Sequence, residues 1–122
     1  MAQVIVRDET MAGRAIGEVV LPGLPERITA RELVRLRVRE EVARFNAAPA
    51  RPDTFGGLVR PSDPARSRVD WEAQAEIACA GFGRNAYVMI VGDRQVEDLD
   101  EVIDLEQAHA VSFIRLTPLV GG

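Results

Sequence analysis

Apolar positions recur along this chain with two periods, and the switches between them mark out the elements. Gln3-Val-Ile-Val-Arg7 is a short β-rich run. Thr10-Met-Ala-Gly13 supplies a turn, with Gly13 free to take a positive φ, and Ala15-Ile-Gly-Glu-Val-Val-Leu21 reads as a second strand. Two strands around a short Gly-containing turn predict an antiparallel hairpin, ended by Pro22-Gly-Leu-Pro25. The period then lengthens. Thr29-Ala-Arg-Glu32 is a capping box: the Thr29 hydroxyl can accept from the Glu32 amide while the Glu32 carboxylate reaches back. Behind it Val34, Val38, Val42 and Phe45 fall at i, i+4, i+8 and i+11, one apolar stripe of a helix running to about Ala47. Arg35, Arg39, Glu40 and Arg44 lie off that stripe and read as a solvated face. Leu36, on the far side, points to a second contact.

From Ala48 to Val69 the periodicity fades among Pro49, Pro52, Gly56-Gly57, Pro61 and Pro64, which predicts a loop or insertion that is mobile or faces a partner. Asp70 can cap a second helix from Trp71 to about Gly81, with Trp71, Ala75, Ala78 and Phe82 on one face. Ala86-Tyr-Val-Met-Ile-Val91 is the most strand-like run. Gly92-Asp93 turns it, and Arg94-Gln-Val96 is long enough for a short return strand. The acidic stretch Glu97-Asp-Leu-Asp-Glu-Val-Ile103 is expected as a solvated loop held down by Leu99, Val102 and Ile103. Leu105 to Ala110 leads into a last strand. The resulting order predicts a mixed α+β layout, one helix packed on a sheet.

That last strand, Val111-Ser-Phe-Ile-Arg-Leu, runs into Thr117-Pro-Leu-Val-Gly-Gly122. Pro118 removes a backbone donor, so pairing should stop near Leu116. Beyond it lies an extended tail. Glycine has no Cβ, so Gly121 and Gly122 make a tether thin enough to thread a narrow enzyme channel and present a carboxylate to chemistry.

Composition narrows the function classes. A chain of 122 residues holds one modest core and not two. Aromatics at 5% argue against a stacking platform for single-stranded nucleic acid, and a net charge of −4 makes nucleic acid and anionic membranes poor partners. No run reaches membrane-spanning length, and Met1-Ala-Gln-Val-Ile-Val-Arg7 lacks signal-peptide features, so a cytoplasmic location is expected. Cys79 is the single cysteine and reads as a small buried hydrophobe; His109, remote in sequence, reads as a surface-turn residue. The acidic stretch lacks Ca²⁺-loop spacing. With no nucleophile elbow, zinc motif, phosphate loop or dinucleotide fingerprint, the chain is expected to be no enzyme and to need no metal or cofactor.

Two runs carry a resemblance: Val88-Met-Ile-Val-Gly92 with Gln95-Val-Glu-Asp98, and the final strand with Gly121-Gly122. An aliphatic strand, a Gly turn, Gln-aliphatic-Glu-Asp, a last strand and a diglycine tail resemble ubiquitin and the β-grasp modifiers. Residues 1–46 match in layout only. The resemblance implies a β-grasp fold, a mixed sheet on one main helix. It implies a single ubiquitin-like domain over 1–116, with an inserted loop and second helix at about 48–85, and a flexible diglycine tail over 117–122. Ubiquitin has no counterpart of the insertion. Thr117-Pro-Leu-Val120 replaces the usual Arg-rich lead-in, so tail recognition would be apolar, through Leu119 and Val120. Insertion and composition together are similar to bacterial ubiquitin-like proteins found beside activating, conjugating and metallopeptidase-like enzymes.

What the resemblance implies is a protein substrate and not a catalyst. The Gly122 carboxylate would be adenylated by an ATP-dependent activating enzyme, passed to a cysteine thioester, then conjugated to an amine or hydroxyl of a target protein. A deconjugating peptidase would reverse the link. Two other readings stay open. A sulfur carrier of the thiamine or molybdopterin type shares fold and tail and forms a C-terminal thiocarboxylate, though such carriers lack so long an insertion. A non-conjugating ubiquitin-like interaction domain has no need to end at Gly-Gly. All 15 basic residues besides His109 are Arg, as a GC-rich genome would favour, and the chain contains no Lys. It therefore offers no ε-amine, only an α-amine such as that of Met1 and its hydroxyls, to another copy's tail.

Overall fold

The computed structural model describes residues 2–10, 15–47 and 70–116. Strand β1 spans Ala2–Glu9, β2 Ala15–Leu24 and β3 Arg27–Thr29; helix α1 spans Ala30–Ala47 and α2 Trp71–Gly83; β4 spans Tyr87–Val91, β5 Arg94–Gln95, β6 Val102–Asp104 and β7 Ala110–Arg115. The alternation in β1 decides the layering. Val4, Val6 and Asp8 are buried while Gln3 and Arg7 face solvent, so one face of the sheet is turned inward. β2 pairs antiparallel with β1, Ile5 opposite Val20 and Arg7 opposite Glu18, which is the expected hairpin. On the other edge of β1 the last strand runs parallel, Val6 opposite Val111 and Asp8 opposite Phe113. β4 pairs antiparallel with β7, and β5 with β4 across a turn in which Gly92 takes φ 64°. Among the described residues the sheet order is β2-β1-β7-β4-β5. The strand formed last in the chain therefore occupies the middle of a mixed sheet.

The helices cover the inner face. The Thr29 hydroxyl accepts from the Glu32 amide at 3.2 Å, as the capping box requires. The return arm of the box differs: the Glu32 carboxylate lies 3.8 Å from Arg35 Nε. Val34, Val38, Val42 and Phe45 are all buried, and Leu36 packs partly against the core. The buried band is wider than that stripe, since Ala30, Leu33 and Arg37 are covered as well. α2 starts where Asp70 Oδ1 accepts from the Glu72 amide at 3.0 Å. Ala75 and Ala78 are buried, while Trp71, Cys79 and Phe82 pack partly against the same cluster. Val4, Val6, Leu33, Met89, Val111 and Phe113 sit at its centre, each 2% exposed or less. Burial of such side chains stabilises the fold by roughly 1.5–3 kcal/mol apiece.

Two expectations need correcting. β2 does not stop at Leu21 but continues through Pro22 to Leu24. β2 is an edge strand, where a missing donor costs little, and a register irregularity between Ala2 and Val4 together with Gly23 at φ 70° absorbs the kink. The acidic stretch is not all loop. Val102–Asp104 pairs antiparallel with Arg27–Thr29 in a small second sheet, Ile28 opposite Ile103. Ile103 and Leu99 are anchors, but Val102 is 57% exposed. The insertion at 48–69 lies outside the described residues.

Candidate functional site

The candidate site is the exit of β7, because the sequence beyond it carries the diglycine. Val111 and Phe113 alternate inward along β7, with Ser112 and Ile114 half-exposed on the other face. Regular pairing ends with Arg115 opposite Tyr87, and the Leu116 amide still donates to the Ala86 carbonyl at 3.1 Å. The expected stop near Leu116 therefore holds. Gly121, Gly122, Leu119 and Val120 lie outside the described residues.

The exit is braced from the side by the end of α2. The Arg84 and Ala86 amides donate to the Gly81 carbonyl at 3.1 and 2.9 Å, and Asn85 takes a left-handed φ of 59° to close the turn. Tyr87 fixes this corner to the core. Its hydroxyl donates to the Ala78 carbonyl at 2.8 Å, and its ring lies 6.0 Å from that of Phe82 and 5.9 Å from that of Phe113. Burial, with a smaller effect of Cys79, pushes the Tyr87 hydroxyl pKa far above its ordinary value.

The same end of the sheet holds a charged cluster that the apolar stripe of α1 does not reveal. Asp8 occupies the third inward position of β1, after Val4 and Val6, and Arg37 lies on the covered side of α1. An Arg37 guanidinium N–H donates to Asp8 Oδ2, and another donates to Glu41 Oε1 at 3.0 Å. Burial pushes the Asp8 carboxyl pKa up, outweighing the lowering by Arg37 and the smaller effect of Arg115. Asp8 and Arg37 line a cleft of about 190 Å³, bounded also by Val19 and Glu40. The signals for this cluster were present: the period-2 pattern Val4, Val6, Asp8, and an Arg–Glu pair at i, i+4 beside Leu33 and Val34.

The remaining titratable residues have structural settings. Burial raises the Cys79 pKa against smaller opposing effects of Arg31 and Arg35, so its thiolate is disfavoured. His109 is exposed just before β7, and its carbonyl accepts from the Ile5 amide at 2.8 Å. In the acidic stretch Asp98 Oδ1 accepts from the Asp100 amide at 2.8 Å, Glu101 pairs with Arg94, and Asp100 pairs with Arg31 at 3.3 Å. Among the described residues no group of three or more His, Cys, Asp or Glu side chains is placed to hold a metal ion. No described helix is long and apolar enough to cross a membrane. Compared with protein-family models and with curated proteins, the chain matches none.

Proposed function

We infer that this chain is a β-grasp, ubiquitin-like protein modifier whose Gly122 carboxylate is activated and joined to target proteins. The observation that carries the reading is the strand order β2-β1-β7-β4-β5. A hairpin, a crossover helix and a mixed sheet packed on it are what the resemblance implies, and here the last strand lies parallel beside the first. This order makes the strand that leads into Leu119-Val-Gly-Gly122 the central one. A central strand is held by ladders on both sides, so its exit is a fixed point from which a thin tether can be offered. Phe113 and Tyr87 anchor that point.

The chemistry needs an unhindered carboxylate at Gly122, whether the chain is made ending there or is trimmed to it. The carboxylate oxygen attacks the α-phosphorus of ATP and pyrophosphate leaves. A cysteine thiolate of the activating enzyme then displaces AMP to give a thioester, and a neutral amine of the target displaces the thiolate to give an amide. The modifier supplies no catalytic group; activating and conjugating enzymes do, and a peptidase hydrolyses the product. Leu119 and Val120 would be read by apolar contact. The test is mass spectrometry after incubation with ATP, a candidate activating enzyme and a sulfur donor. An adenylate or enzyme thioester supports the modifier. A thiocarboxylate as the end product would replace it with a sulfur carrier, and an unchanged C-terminus with every enzyme tried would leave the interaction domain.

A further inference from the structure

The outer side of α1 carries Arg31, Arg35 and Arg39 at i, i+4 and i+8, one row along the helix. Arg35 and Arg39 were expected to be merely solvated. Instead both guanidinium carbons lie over the ring of Trp71, the first residue of α2, at 5.3 and 5.6 Å from its centroid. We propose that this Arg31–Arg35–Arg39 row around Trp71 is a docking surface for an acidic protein segment, one rich in Asp and Glu.

Three features carry this, none of which depends on the modifier reading. First, the three arginines are only loosely ion-paired, although Asp70 and Glu72 flank Trp71 in the chain. Arg39 makes no ion pair with any described residue, and the other two make exposed pairs, Arg31 with Asp100 at 3.3 Å and Arg35 with Glu32 at 3.8 Å. Such pairs hold little energy and yield readily to an incoming carboxylate. Second, the row is pre-ordered. A cation–π contact engages the charge of a guanidinium but not its N–H donors, which remain available for bidentate bonds to a carboxylate. Pinning two long side chains on one indole also removes part of the entropy that binding would otherwise cost. Third, two like charges beside one ring repel, and an anion between them offsets that repulsion. The whole chain is at −4, so an extended polyanion such as nucleic acid meets net repulsion. A short acidic segment senses mainly the charges within a Debye length of about 8 Å at physiological salt.

Trp71 is the only tryptophan, so indole fluorescence reports this surface directly. The chain is titrated with an Asp/Glu-rich peptide, with its Asn/Gln counterpart and with a single-stranded oligonucleotide. The expected result is a saturable change with the acidic peptide alone, weakening as salt rises. Affinity should fall about tenfold in the Arg35→Gln/Arg39→Gln double variant but not in Arg7→Gln. No saturable change, an equal response to the Asn/Gln peptide, or full affinity in a folded double variant would overturn the proposal. Tighter binding of the oligonucleotide would overturn the choice of a protein partner. The salt and peptide comparisons need no variant.

Discussion

Asp8 on β1 accepts a hydrogen bond from Arg37 on α1, and both residues are more than nine-tenths buried, at 9% and 6% exposure. This ion pair joins the first strand to the main helix at the end of the sheet where β7 exits. Losing one partner leaves the other charged and covered. Arg37→Ala should therefore cost about 3–5 kcal/mol in denaturant unfolding, whereas Asp8→Leu/Arg37→Met together, which leaves only Glu41 without its Arg37 partner, should cost clearly less. Equal losses in the single and double variants would contradict this account of the pair.

The raised Asp8 pKa sets the sign of a pH effect. Folded Asp8 binds its proton more readily than the unfolded chain, whose carboxyl titrates near 3.8. The stability this group contributes is thus fully present below the unfolded pKa and lost as pH rises through the folded value. Measured against Asp8→Asn, the wild type should gain relative stability as pH falls toward the unfolded value of 3.8. A relative loss on acidification would mean that Arg37 dominates over burial.

Tyr87 is the only tyrosine, so alkaline absorbance follows one site. Its phenol is buried and donates to Ala78. Because the folded pKa is raised, stability from this group persists below the unfolded value of 10.0 and is lost above it. Phenolate absorbance should rise together with loss of far-ultraviolet circular dichroism. Ionisation near 10 in the folded protein would show the hydroxyl to be exposed.

Neighbouring residues in β6 should behave oppositely. Ile103 is 1% exposed and Val102 57%. Ile103→Ala should cost about 2–5 kcal/mol, while Val102→Ala should stay within about 0.5 kcal/mol. Similar effects at both positions would place this stretch outside the sheet register described.

The main pattern of the fold was legible because the strongest signals agree locally. Thr29 and Asp70 mark both helix starts, Val34 to Phe45 the buried side of α1, and Tyr87–Val91 a strand buried at alternate positions. Short or mixed signals misled. β3 and β6 are three residues each, and β6 follows a run of carboxylates, so composition argued for solvent while Ile103 argued for the core. The Asp8–Arg37 pair left a partial signal: Asp8 continues the inward alternation of Val4 and Val6, but neither charge names its partner until the facing element is known. The same holds for Arg35 and Arg39, whose place over Trp71 depends on how α2 packs on α1. Of the candidate site, β7 and its stop were readable, and Gly121 and Gly122 rest on sequence alone.

If the chain is a modifier, the absence of Lys limits the links it can make with itself. A lysine amine with a pKa near ~10.4 is the usual acceptor, and Arg stays protonated. Tyr87 is buried, and the Thr29 hydroxyl caps α1. With α-amines acetylated, ladders made of this protein alone should be absent or should collapse in hydroxylamine as oxyesters do. Ladders that survive both treatments would show an amine the sequence does not contain.

The most direct measurement is thioester formation at the tail. The intact chain, a chain lacking Gly122 and a Gly121→Trp variant are each incubated with ATP and an activating enzyme, then resolved with and without a thiol reductant. The account predicts a reductant-sensitive enzyme adduct for the intact chain alone, with all three chains equally folded by circular dichroism, because among the described residues the buried core is complete by Phe113. Undiminished adduct from the chain lacking Gly122 would contradict the modifier and the sulfur carrier together.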